Sequence, residues 1–214
     1  MHFLPPTSDL VFFMTAAAIL LVIPGPAVLY IIARSVDQGR TGGLASALGI
    51  STGTLVHVAA AALGLSALMV SSATAYAAVK YAGAAYLFYL GIRKLIERAP
   101  SDEVAHVKPA SLRRVYAQGV LVNVLNPKAA LFFFAFLPQF VNPARGHVTM
   151  QFVVLGLIFA GMGLVSDSVW ALTAGSAGRW LRGHKSFRQK ERYVTGTVYL
   201  GLGLATAVSG SRHK

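Results

Sequence analysis

The 214-residue chain contains no cysteine and only seven acidic residues. The first absence excludes structural disulfides, Cys-ligated zinc, iron–sulfur clusters and thiol redox chemistry. The second belongs to a wider shortage of charge, since Asp, Glu, Lys and Arg make up 12% of the chain against about 25% in soluble globular domains. Motifs of intramembrane hydrolysis are missing as well. There is no His-Glu-x-x-His, no Gly-x-Ser-Gly, and no second acidic residue within an apolar run to partner Asp167. Zinc, serine and aspartyl chemistry therefore lack their groups, and the chain is not read as an enzyme. No cofactor and no metal site is expected.

What is abundant is apolar. Hydrophobic residues form 55% of the chain and the mean hydropathy is +0.61, more apolar surface than one core of this size can bury but not more than lipid can cover. The net charge is +12, yet the basic residues sit between apolar runs rather than on one face of a soluble domain. Nucleic acid is therefore not an expected partner, and membrane lipid is.

Six stretches are long and apolar enough to cross a hydrocarbon core of about 30 Å: residues 10–33, 43–70, 73–96, 116–140, 149–174 and 193–210. The expected fold class is an all-α integral membrane protein with six transmembrane helices in a single transmembrane domain, residues 1–214. The residues ahead of the first run lack the basic stretch of a signal peptide, so that run is expected to remain as a mature helix capped by Ser8 or Asp9. Of the nineteen Lys and Arg, fourteen follow spans one, three and five and three lie on the opposite side. By the positive-inside rule this orients the chain with both termini outside.

Three spans per half is an odd number, so a duplicated half would enter the membrane inverted. The expected halves are roughly 1–100 and 110–214, joined by a basic loop at about 97–115. A Pro-interrupted segment opens each half, Pro24-Gly25-Pro26 and Asn126-Pro127-Lys128, and Gly83-x-x-Tyr86-Leu87 in the third span matches Gly196-x-x-Tyr199-Leu200 in the sixth. A 3+3 inverted repeat is therefore expected, with its binding site at the paired interruptions.

Several groups are costly in lipid. Pro24 and Pro26 remove two backbone donors and, with Gly25, free carbonyls in mid-span that must face protein, water or a ligand. Lys128 lies too deep to snorkel and costs on the order of 3 kcal/mol on insertion scales. It should face the bundle interior, either paired with Asp167 or receiving an anion, with Asn126 beside it and Pro127 opening the backbone. Asp167 is the only acidic residue within any span, suited to carrying a proton, and His57 is the other titratable candidate. Small residues at four-residue spacing, Ala45, Gly49 and Gly53, predict close helix packing.

These blocks resemble the LysE/RhtB family of bacterial amino-acid exporters: Pro24-Gly25-Pro26; Gly39-x-x-Gly42-Gly43 leading to Gly49 and Gly53; Gly83-Ala-Ala-Tyr86-Leu-Phe-Tyr-Leu-Gly91; and Gly119 to Phe140, containing Asn123, Asn126-Pro127-Lys128 and Phe136-Leu-Pro-Gln-Phe140. Family members often carry Asn or Asp directly after Pro-Gly-Pro, where this chain has Ala27. The resemblance implies a multi-pass exporter of amino acids or their derivatives in the bacterial inner membrane, driven by the proton motive force. Its partners would be a small amino-acid-like substrate, protons and lipid, with a homodimer open to it. The expected substrate-binding residues are Pro24, Gly25, Pro26, Asn123, Asn126, Pro127 and Lys128, with proton coupling at Asp167 or His57. Metal-cation efflux and a non-transport membrane interaction are the alternative functions.

Overall fold

The computed structural model describes residues 5–96 and 110–182, together with Thr197, Leu200 and Leu204. Every regular element among them is helical. In chain order they are α1 (Thr7–Val22), α2 (Pro26–Ala60), a π-helical turn (Ala61–Leu65), α3 (Ser66–Ser71), α4 (Ala73–Ile96), α5 (Leu112–Val124), α6 (Pro127–Leu131), a second π-helical turn (Phe132–Phe136), short 3-10 turns at Leu137–Phe140 and Pro143–Arg145, and α7 (Val148–Arg182).

The first expected span is not one helix. α1 stops at Val22 because Pro24 drives its predecessor Ile23 into extended backbone, with φ −70° and ψ 121°. The chain re-enters helix at Pro26, whose fixed φ suits the first helical position and whose missing N–H would have had no intrahelical partner there. α1 alone, at about 24 Å, is shorter than a hydrocarbon core. Its N-cap is Pro6 and makes no side-chain bond; the expected caps, Ser8 and Asp9, lie one turn in. The φ imposed by Pro6 starts the helix earlier than side-chain capping would.

α2 reverses at Gly39, where φ is +71° and ψ −170°. A Cβ added to Gly42 would sit 3.1 Å from the Arg34 carbonyl oxygen, and one on Gly43 would collide with the Ser35 hydroxyl. Contacts eight residues apart cannot occur along one straight helix, so the chain folds back on itself at this turn.

Beyond the turn, α2 lies against α5 with the backbones nearly touching. A Cβ on Gly49 would stand 2.3 Å from the Tyr116 carbonyl, and one on Gly119 would stand 2.9 Å from the Ser46 carbonyl. The row of small residues thus does what its spacing predicts. The third expected span coincides with α4, entered through extended Ser72. The fourth is α5 followed by the α6 segment, bent by 47° between Val124 and Pro127.

Among the described residues, Pro26–Met69 and Val148–Ala174 are long and apolar enough to cross a membrane, and the bent pair makes a third if it forms one span. All of the sixth expected span except Thr197, Leu200 and Leu204, most of the basic loop at 97–115, and Gly196 and Tyr199 of the repeat signature lie outside the described residues.

Two apolar clusters form the interior. One gathers Phe13, Phe132, Phe133, Phe136, Phe140 and Phe159 from α1, the second π turn, the 3-10 turn after it and α7. The other joins Ala27, Ile31, Ala47, Ile50 and Ala171. Large side chains such as Leu63, Leu125 and Val165 are more than 60% exposed, an outward apolar face suited to lipid.

Candidate functional site

Between the two clusters lies a cavity of about 50 Å³, room for a few waters and far below the several hundred Å³ of a small-molecule pocket. The two helix breaks meet there. Gly25 comes from the break between α1 and α2, Asn123 from the last turn of α5, Asn126 from the break between α5 and α6, Lys128 from the first turn of α6 and Asp167 from α7. Of the substrate-binding and proton-coupling residues expected from sequence, these five line it. Pro24, Pro26 and Pro127 set the breaks that bring them together.

The polar groups are held by one another. Asn123 donates from Nδ2 to the Ile50 carbonyl and to the Thr54 hydroxyl, both at 2.9 Å. Asn126 donates to Asn123 Oδ1 at 3.3 Å, and its own Oδ1 accepts the Lys128 backbone N–H at 3.1 Å as the N-cap of α6. A chain of amides therefore fixes the second break against α2.

Lys128 crosses from one break to the other. Its Nζ donates to the Ile23 carbonyl at 2.6 Å, the acceptor that the extended backbone before Pro24 turns out of the helix. A glycine at position 25 lets the side chain pass, since a Cβ there would lie 3.1 Å from Lys128 Cδ. The ammonium is also near enough for its charge to act on the Asp167 carboxyl. Both residues are buried.

His57 is placed differently. Its Nε2 donates to the Asn123 carbonyl at 3.0 Å, and its ring stacks on Phe133 with centroids 5.7 Å apart. It is not among the residues lining the cavity. Ala27, where relatives of the resembled family often carry a polar side chain, lines the cavity as an apolar wall.

The family described as LysE type translocator matches residues 18–210 of this chain. The chain belongs to that family. This LysE-type chain is 29% identical over 210 residues to an uncharacterized membrane protein of Bacillus subtilis, covering 94% of this chain and 99% of the relative. It is 28% identical over 197 residues to an uncharacterized membrane protein of Vibrio cholerae, covering 92% and 95% respectively. A relative from Salmonella typhimurium described as a homoserine/homoserine lactone efflux protein is 27% identical over 201 residues, covering 94% and 96%. No solved structure matches.

Two features of this LysE-type chain escaped the sequence reading. Thr54 lines the cavity and holds Asn123; a threonine within an apolar helix carries no signal until its partner is placed. Arg34, counted in sequence as a loop charge, is buried at 3% exposure. It donates to Gln118 Oε1 at 2.6 Å and to Gln38 Oε1 at 2.8 Å, and lies over the Tyr30 ring. An amide at 118, within an apolar run, was the available hint.

Proposed function

We propose that this protein exports amino acids or amino-acid derivatives across the bacterial inner membrane in exchange for protons. The observation that carries the reading is the cavity where two broken helices meet, walled by one buried lysine and one buried aspartate. Family membership and a relative described as a homoserine/homoserine lactone efflux protein favour the same class of solute.

In this reading Lys128 and Asn126 take the substrate carboxylate, and the carbonyl freed ahead of Pro24 takes its ammonium. Asp167 exchanges the proton, because it lines the cavity and His57 does not. The chain has six spans in two inverted halves with both termini outside; helices that open at Pro26 and at Pro127 are what such a repeat would place at corresponding positions. The cavity is too small for an amino acid, so binding requires the helices around the breaks to part. Export then follows if proton and substrate favour opposite-facing forms to different degrees.

The test is efflux of a preloaded amino-acid panel, including homoserine, from proteoliposomes with and without an imposed pH gradient. Gradient-dependent efflux of some members is expected from the wild type and none from Lys128→Ala at equal membrane abundance. Unimpaired efflux from that variant would sink the role given to the lysine.

A further inference from the structure

We propose that the substrate's side chain lies outside the polar cavity, in an apolar groove on the lipid-facing side of α1 and α7, and that Leu21 is the movable partition between the two. This rests on the amino-acid reading above and deepens it, since it assigns a second subsite and the substrate class that fills it: α-amino acids with extended apolar side chains.

The groove has a volume of about 640 Å³ and is walled by Ala18 and Val22 of α1 and by Met162, Val165, Val169 and Trp170 of α7. Val22, Val165 and Val169 are each more than half exposed, so the groove belongs to the outward apolar face. Helix periodicity sets it beside the cavity. On α7, Phe159, Gly163 and Asp167 recur at four-residue spacing and line the cavity, while Met162, Ser166 and Trp170 repeat that spacing one position out of step and line the groove. On α1, Leu20 lines the cavity, Val22 lines the groove and Leu21 lines both. Leu21 is therefore a wall that the two spaces share. Its side chain lies over Gly163, where an added Cβ would stand 3.4 Å from Leu21 Cδ2. Dispersion alone holds an aliphatic side chain, so a rotamer change moves it without breaking a hydrogen bond. The backbone behind it stays tied, because the Ser166 hydroxyl donates to the Leu21 carbonyl at 3.4 Å.

The chemistry of the two spaces divides the substrate between them. The cavity presents Lys128, Asp167, Asn123, Asn126 and Thr54, donors and acceptors that suit an ammonium and a carboxylate. At about 50 Å³ it has no room for a long side chain as well, and forcing one into the neighbouring phenylalanine cluster would overfill a packed core. The groove supplies that room one side chain away. An apolar chain laid there leaves water while the charged head keeps its polar partners, and the helices need part only along the Leu21 seam. A lipid acyl chain meets the same apolar walls, but its charged head stays at the bilayer surface and gains nothing from the cavity. An amino acid engages both.

The experiment measures binding of alanine, 2-aminobutyrate, norvaline and norleucine, one head group with a lengthening tail, to the full-length protein in vesicles. Affinity for wild type should rise about fourfold per added methylene. Gly161 lines the groove and has nothing within 4 Å of an added Cβ, so Gly161→Leu fills the groove without a clash at its Cβ and should reduce the norleucine-to-alanine affinity ratio at least tenfold. Leu21→Ala removes the partition and should raise that ratio. In vesicles of phosphatidylcholine brominated on its acyl chains, Trp170 reports the occupant directly, with Trp180→Phe as background because the chain has two tryptophans. Bromine should quench Trp170, and norleucine should relieve the quenching where alanine does not. An unchanged ratio in Gly161→Leu would overturn the proposal. Quenching that norleucine leaves intact would overturn it in favour of lipid, and no quenching together with a dimeric mass in favour of a second copy of the chain. Alanine bound with no gain along the series would overturn the groove subsite alone, whereas no binding of any of the four to folded wild type would overturn the amino-acid reading, so the two failures are told apart.

Discussion

At the scale of the residue, glycines within helices have opposite consequences depending on what faces them. Gly49 lies against the Tyr116 backbone, and a Cβ there would stand 2.3 Å from a carbonyl that cannot move aside without shifting α5. Gly49→Val is expected to lower stability by at least the ~1–3 kcal/mol typical of overpacking. Gly161 faces open space, with nothing within 4 Å of an added Cβ, so Gly161→Ala is expected to raise stability by up to about 1 kcal/mol through helix propensity. Thermal unfolding of the detergent-solubilised protein checks both, and equal effects would show that the α2–α5 contact is looser than drawn. The spacing of small residues was legible in the sequence. Which glycine touched a backbone was not, because that depends on the partner helix.

At the scale of the element, the reversal at Gly39 separates one apolar stretch into two. Pro26–Met69 runs for 44 residues, about 66 Å if straight and twice a hydrocarbon core. Its φ of +71° with ψ −170° lies in a region that is essentially confined to glycine. Gly39→Ala has ample space yet is expected to cost about 1–3 kcal/mol in backbone strain, and a thermal midpoint equal to that of wild type would show that the turn relaxes freely. The two apolar runs on either side were readable from hydropathy, as was the tight join at Ser72. The division of the first run into α1 and α2, and the bend between α5 and α6, were foreshadowed by Pro24, Pro26 and Pro127. Their juxtaposition was not, since a proline announces a break without saying what the break will face.

At the scale of the whole molecule, the breaks and α7 line a cavity of about 50 Å³, with the aromatic cluster on one side and the Ala27–Ile31–Ala47 cluster on the other. In the proposed function, an amino acid enters only if the helices around this narrow cavity part, so the described conformation would alternate with wider ones. Asp167→Asn removes the carboxyl that would carry the proton while nearly conserving its shape. Substrate exchange across proteoliposomes with no gradient is expected to persist in this variant, whereas acceleration of efflux by an acidic exterior should disappear. Retained acceleration would assign coupling to another group.

The sequence by itself established that the chain belongs in a membrane, through its apolar excess, and, through the lengths of its apolar runs and the depth of Lys128 and Asp167 within them, called for helices that turn both residues inward. The tertiary structure decided what those charges meet. Lys128 reaches Ile23, 105 residues earlier; Arg34 leaves the loop inventory to be held by Gln118; and His57 turns to the Asn123 carbonyl rather than to the cavity. Such pairings depend on helix rotation and on the close approach that Gly49, Gly53 and Gly119 permit, which are relations between elements that no local pattern encodes.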